Sequence, residues 1–369
     1  MRVHLVTDRY AVGGGLEHIV QIVRGLPGIS FGVFGQPGPG AARFKQLVNA
    51  RVHETGYGPG QVMKGDPQVV HVHHTRALLA LFKNPLVKHR VPVVFTAHGL
   101  HLHKYEFMPG PTAKIKYFLR FHLEKALLKR VDRVIAVSRE DYDFLVNRYR
   151  LANVIYLTNG IDFKRLDALK GRGEELRPAL GLPPGYRLLT TVARFDFQKG
   201  YDILVKAISL LKDWLFKQEK TRGIRFVLVG GGQERQKMET LARRLGVMDF
   251  LLFLGERADV YEILRASDLL VLPSRWEGLP IVLLEAGRLK VPVLASNTYG
   301  NREMIGTDRG ILFENLDAAD LAYRIRAVID GNDNLDRLAD NLYREVQNVY
   351  NLPAMLSGLE HLYGSLCNP

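Results

Sequence analysis

A single cysteine, Cys367, occurs in the whole chain, so no intrachain disulfide can form and a disulfide-stapled scaffold is excluded. No apolar run approaches the ~20 residues that carry a helix across a bilayer. The opening MRVHLVTDRY alternates like a strand and has neither the apolar core nor the small-residue cleavage site of a secretory signal. Fixed-period repeats and low-complexity tracts are also missing. Together these absences predict a cytoplasmic protein. Acids are in deficit: 38 Asp plus Glu face 51 Lys plus Arg, a net charge of +13 that points to anionic partners such as phosphates, acidic lipid headgroups or nucleic acid. A 47% hydrophobic and 24% charged composition is that of a packed chain, and 369 residues are enough for two domains.

What is present is an alternation. Short β-branched runs (RVHLVT, QVVHVHH, VPVVFTAH, DRVIAVS) are each followed by a helical pattern (GLEHIVQIVRGL, TRALLALF, AKIKYFLRFHLEKALLKR, REDYDFLVNRY), which predicts βα units around a parallel sheet. The series stops near NVIYLTNGID. After the polar GRGEELRPALGLPPGY a second series begins: RLLTTVARF, IRFVLVGGG, FLLFLGE, DLLVLPS, VPVLASN and GILF. The fold expected is α/β, two doubly wound Rossmann-like domains covering residues 1–163 and 164–351, with a final helix over 352–369 opened by Pro353. Ligands of such sheets bind at the carboxyl ends of the strands, and most of the unusual residues fall there.

In PSRWEGLPIVLLEA, Glu277 and Glu285 lie eight positions apart around a turn, with Pro280 suited to a helix start. The unpaired first-turn amides of Ile281 and Val282 suit a phosphate. At a rise of about 1.5 Å per residue the two carboxylates are on the order of 10 Å apart, room for a diphosphate flanked by hydroxyl-rich groups. Ionised carboxylates accept hydrogen bonds from sugar hydroxyls and repel phosphate, so the arrangement fits the two sugars of a nucleotide sugar. It is equally read as a helix cap plus a solvated acid. VARFDFQKG supplies cations at another strand end, Arg194 and Lys199, able to stabilise a departing diphosphate or simply to face solvent. Three glycines in AVGGGLEHIV let backbone amides approach an anion. A dinucleotide fingerprint is the rival, but His18 and Arg235 stand where AVGGGLEH and LVGGGQER would need its last glycine.

Taken together, GGLE, TAHG, AVS, NGID, Arg194 with Lys199-Gly200, LVGGG, and EGLPIVLLEA followed by VPVLAS resemble the retaining GT-B glycosyltransferases of family 4, in family order over most of the chain. Thr158 and Ala193 depart from the proline and glycine usual before NG and the Arg. The resemblance implies that Glu277 binds the donor sugar, Glu285 the ribose, and Arg194 with Lys199 the diphosphate. It implies that Gly14, Gly15, Gly230, Gly278, Leu279 and Ile281 line the donor, that Glu256 and Arg257 lie near the base, and that His98 sits beside the transferred sugar. Arg194, Lys199, Glu277 and His98 are then the candidate catalytic residues. No metal or other cofactor is expected. The implied reaction moves a hexose from a UDP- or GDP-sugar to a saccharide or lipid-linked acceptor of the cell envelope. A GT-B-like epimerase, needing no acceptor, is the alternative.

Other signals are weighed against plain structural roles. Asp141-Tyr-Asp143 follows Ser138 at a helix start, where acids offset the macrodipole, and is read that way rather than as a metal motif. His71, His73, His74, His98, His101 and His103 alternate faces or fall in loops, with no cysteine or carboxylate to complete a metal set. Nothing near Cys367 would lower its pKa. The stretch 113–130 mixes Lys114, Lys116, Arg120, Lys125, Lys129 and Arg130 with Tyr117, Phe118 and Phe121, which fits a helix resting on anionic lipid and fits an ordinary domain helix as well. Acceptor binding by this stretch goes with the lipid reading. The basic residues are dispersed and carry no RNA-binding signature, so nucleic acid is not expected as a partner.

Overall fold

The computed structural model describes residues 1–11, 13–83, 91–169, 173, 175–219, 223–331 and 334–367. The polar link expected from Gly171 therefore lies partly outside the described residues. Two compact units emerge, one of Met1–Ile161 with Tyr350–Pro369, the other of Asp162–Val349. The chain thus leaves the first unit once and returns to it.

In the first unit, seven strands of the described residues form a parallel sheet: β1 (Arg2–Arg9), β2 (Ser30–Gln36), β3 (Ala50–His53), β4 (Val69–Val72), β5 (Val93–Ala97), β6 (Arg133–Ala136) and β7 (Val154–Tyr156). Their order is β3-β2-β1-β4-β5-β6-β7. All four residues of β4 are buried, as expected of a parallel strand covered on both faces. β2 and β3 were not anticipated from the sequence. SFGVFGQ contains two glycines and ARVH has four residues with alternating partial burial, so neither carries a strong β-branched signal.

Chain order reverses beside β1, and the crevice between β1 and β4 is the switch point where such sheets take ligands. The first helix, Gly14–Gly25, starts at that edge. The last helix, Leu352–Cys367, buries Met355, Leu359, Leu362 and Tyr363, an i, i+4, i+7, i+8 stripe, in one core with Val3, Leu5, Ile19, Ile22 and Val23. A Cβ on Gly25 would come within 2.2 Å of Leu356 Cδ1, so the glycine lets these two helices approach closely. Tyr363 Oη also lies 2.6 Å from His71 Nδ1, anchoring the last helix to β4.

The second unit holds a six-stranded parallel sheet among the described residues: β8 (Arg187–Val192), β9 (Ile224–Val229), β10 (Leu251–Gly255), β11 (Leu269–Leu272), β12 (Val293–Ser296) and β13 (Ile311–Phe313), in the order β10-β9-β8-β11-β12-β13. All six fall on the runs named from the sequence. Its core packs Phe226, Leu228 and Val271 against Ile203, Leu204, Ala207 and Ile208 of the helix Tyr201–Leu210. Here the switch point lies between β8 and β11, which carry the VARFDFQKG and PSRWEGLP loops at their carboxyl ends.

Candidate active site

The β8 and β11 loops are drawn together by a glycine. Gly200 has φ +66°, and a Cβ there would lie 1.9 Å from the Pro273 carbonyl oxygen, so no other residue lets the two loops touch in this way. That contact sets Lys199 against Glu277: Nζ to Oε1 is 2.7 Å, with the side chains 18% and 5% exposed. Gln198 Nε2 donates to the Trp276 carbonyl at 2.9 Å and reaches Glu277 Oε2 at 3.4 Å. The family resemblance assigns Lys199 to the diphosphate and Glu277 to the donor sugar, and nothing in the sequence singles out Gln198. The cation and the acid are coupled before any ligand arrives.

Arg275 ties the rest of the β11 loop down. Its guanidinium donates to the Phe197 carbonyl and to Asp202 Oδ2, both at 2.8 Å, while its own amide donates to the Gln198 carbonyl at 2.7 Å. Burial pushes the Asp202 carboxyl up, but Arg275 and Lys206 outweigh it and hold the pKa below its ordinary value. Thr298 Oγ1 and Asn315 Nδ2 both donate to the Arg275 carbonyl, at 2.9 and 3.0 Å. The loop is therefore fixed in advance rather than left to fold around a ligand.

The helix after it runs Ile281–Arg288, with Pro280 as the residue before its first turn. Glu277 thus precedes the helix, and the helical rise applies only from Ile281 onward, about 6 Å to Glu285. Glu285 is buried on that helix. Gly278 and Leu279 are buried in the loop, and the Gly278 carbonyl is approached closely by Gly300. Arg194 is half exposed and ion-paired to Asp196 at 3.1 Å. Gly230, at φ +140°, lies where a Cβ would strike the Ala193 carbonyl oxygen at 2.0 Å, so the first glycine of LVGGG packs the β9 loop on the β8 loop. Glu256 is exposed and lies against Gly231, and Arg257 forms a forked pair with Asp259 at 2.8 and 2.7 Å.

In the first unit, Gly14 and Gly15 open the first helix, and a Cβ on Gly15 would meet nothing within 4 Å. His98 follows β5, with Nε2 3.1 Å from His73 Nδ1. Sequence spacing does not reach His18, which the first helix brings edge-on to both rings, at centroid distances of 4.8 and 5.6 Å. Burial lowers the pKa of all three, His18 to about 4. A cavity of about 30 Å³ adjoins His73 and His98.

Ser138 Oγ accepts from the Asp141 amide at 3.1 Å, the helix-start arrangement expected for that stretch. The helix Pro111–Leu128 divides the basic and aromatic residues of this stretch between core and solvent. Tyr117 and Phe121 pack on the domain core, and Arg120 pairs with the buried Glu124, which also takes a hydrogen bond from Tyr149 at 3.0 Å. Phe118 is 61% exposed beside Ile115 and Leu119, at 60% and 62%, with Lys114 and Lys116 exposed on the same helix. No helix among the described residues is long and apolar enough to cross a membrane.

Residues 1–165 match the family described as Glycosyltransferase Family 4, and residues 173–345 match Glycosyl transferases group 1. An Escherichia coli UDP-Gal:alpha-D-GlcNAc-diphosphoundecaprenol alpha-1,3-galactosyltransferase is 26% identical over 73% of this chain and 68% of its own length. The lipopolysaccharide core biosynthesis mannosyltransferase LpsB of Rhizobium meliloti is 31% identical over 58% of this chain and 59% of its own length. Among solved structures, Anabaena HepE in complex with UDP-glucose superposes with TM-score 0.84 at 19% identity, covering 99% of this chain and all of that one. At that identity the likeness speaks for the fold.

Proposed function

The chain belongs to the GT-B glycosyltransferases related to family 4 and group 1, and from that membership we propose that it moves a hexose from a UDP- or GDP-sugar to a saccharide or lipid-linked acceptor in envelope polysaccharide or glycolipid synthesis. The observation that carries the reading is the Lys199–Glu277 pair at the switch point of the second sheet. A lysine ammonium has three N–H donors, so one can bond Glu277 while the others remain for a diphosphate oxygen. Glu277 then accepts from hydroxyls of the donor sugar, and Glu285 from the ribose. Arg194 shares the diphosphate with Lys199. Both act chiefly as negative charge grows on the leaving oxygen, the point at which fixed cations lower a barrier. Gly15 offers its amide to the donor, His98 borders the transferred sugar, and Glu256 with Arg257 borders the base.

The outcome at the anomeric carbon is retention: the C1–O bond to the diphosphate breaks as the bond to the acceptor oxygen forms on the same face, and the acceptor proton passes to the leaving diphosphate. The exposed Ile115, Phe118 and Leu119, flanked by Lys114 and Lys116, support docking of this helix on an anionic membrane at the cytoplasmic face. One relative named for a GlcNAc-diphosphoundecaprenol galactosyltransferase and another named for lipopolysaccharide core biosynthesis support a lipid-borne acceptor. Product analysis tests the reaction class. Sugar transferred only when an acceptor is supplied upholds it, and an isomerised nucleotide sugar formed from donor alone replaces it with the epimerase.

A further inference from the structure

Burying an imidazole whose ring nitrogens find no partner is costly, and such orphans in a native fold call for a bound water or ion. His18 has both Nδ1 and Nε2 buried without a hydrogen-bond partner among the described residues, and His73 has Nε2 in the same condition. The His18 ring lies beside two further imidazoles, those of His73 and His98. One ring nitrogen from each of His18, His73 and His98 lies within 4.8 Å of the other two. We propose that the three histidines form a binding site for one borderline divalent transition metal, of which zinc is the type.

The chemistry of the donor set favours it. Neutral imidazole is the ligand form, and Zn²⁺ takes three such nitrogens at about 2.0–2.1 Å with a fourth position open. That bond length places tetrahedral ligand nitrogens about 3.3 Å apart. The His73 Nδ1 to His98 Nε2 separation, a 3.1 Å hydrogen bond in the metal-free protein, is already near that value, and the His18 nitrogen has to close in from within 4.8 Å. The supporting shell is in place on one side: His71, packed on His73 at 4.2 Å, is itself fixed between Tyr363 Oη and Thr96 Oγ1, at 2.6 and 2.7 Å. His98 is only partly buried, which leaves an entry.

The ligands come from the first helix, from the residue after β4 and from the residue after β5, so the ion ties together three elements of the first unit. It is an occupant and not a cofactor. A consequence that, unlike the binding itself, rests on the glycosyl-transfer reading is that zinc removes His98 from the sugar and inhibits.

The test uses the full chain, stripped with EDTA and titrated with Zn²⁺ against a chromophoric chelator, with Co²⁺ as a spectroscopic probe. One equivalent should bind, raise the Tm by several degrees and give the intense visible bands of four-coordinate Co²⁺. His18→Ala and the milder His73→Asn should each weaken binding at least 30-fold while keeping the metal-free far-UV spectrum. Wild-type protein that binds Zn²⁺ no more tightly than the two variants overturns the site and leaves the orphan nitrogens to water. So does a weak octahedral Co²⁺ spectrum. One-to-one binding without inhibition upholds the site and counts against the placement of His98 at the sugar.

Discussion

Lys199 Nζ lies 2.7 Å from Glu277 Oε1, across two loops whose residues are 78 positions apart in sequence and whose contact depends on Gly200. The pair joins the proposed phosphate-binding cation to the proposed sugar-binding acid. Lys199→Ala should therefore lower kcat far more than it weakens nucleotide binding, because the charge it stabilises grows in the transition state. Steady-state kinetics beside nucleotide titration measures this, and equal loss in both counts against it. A hydrogen-bonded charge removed from Glu277 also costs about 1.5–3 kcal/mol of stability, and Lys199→Met with Glu277→Gln should recover part of it in a double-mutant cycle.

Gly200→Ala acts on geometry instead of charge. Its Cβ would collide with the Pro273 carbonyl, and the φ of +66° disfavours any side chain. We expect a loss of more than about 1 kcal/mol in denaturant unfolding, with donor binding lost together with stability. A variant as stable as wild type would mean that the loops separate freely.

Acid should destabilise the first unit. His18, His71 and His73 are buried and their pKa values lie below the ordinary 6.5, His18 near 4 and His71 near 3. A depressed pKa contributes stability that is present above the unfolded value and lost as the pH falls through the folded one. The Tm should thus hold above pH 6.5 and decline from there toward pH 4, and His18→Phe should flatten part of that decline. A Tm unchanged between pH 7 and 4.5 contradicts the burial of these rings.

The apolar triplet on the helix Pro111–Leu128 predicts flotation with anionic liposomes at low salt and its loss when Phe118 and Leu119 are both changed to Glu. Arg120→Ala should instead destabilise the domain, since it takes the cation from the buried Glu124 carboxylate and leaves it the hydroxyls of Tyr149 and Thr75 alone. Absence of wild-type flotation removes the membrane proposal without touching the donor site.

The sequence was most legible where the signal is local. Runs such as IRFVLV and DLLVL announce central strands, and glycines and charges just beyond them mark the carboxyl edge of the sheet. It was least legible where the signal is a neighbour supplied by topology. His18 looked like a failed fingerprint position until helix and sheet packing set it beside His73 and His98. The division of Tyr117, Phe118, Arg120 and Phe121 between core and solvent likewise follows from Glu124 and Tyr149, which no spacing rule brings in.

The most direct test of the central claim is a thermal-shift screen of UDP-, GDP- and ADP-hexoses against wild type and Glu285→Ala. A ligand that binds only the folded state raises the Tm by mass action. We expect sugars of one base to stabilise wild type by several degrees and to leave Glu285→Ala unmoved. Indifference of wild type to every nucleotide sugar, at concentrations up to the millimolar range, would contradict the assignment of this edge as the donor site.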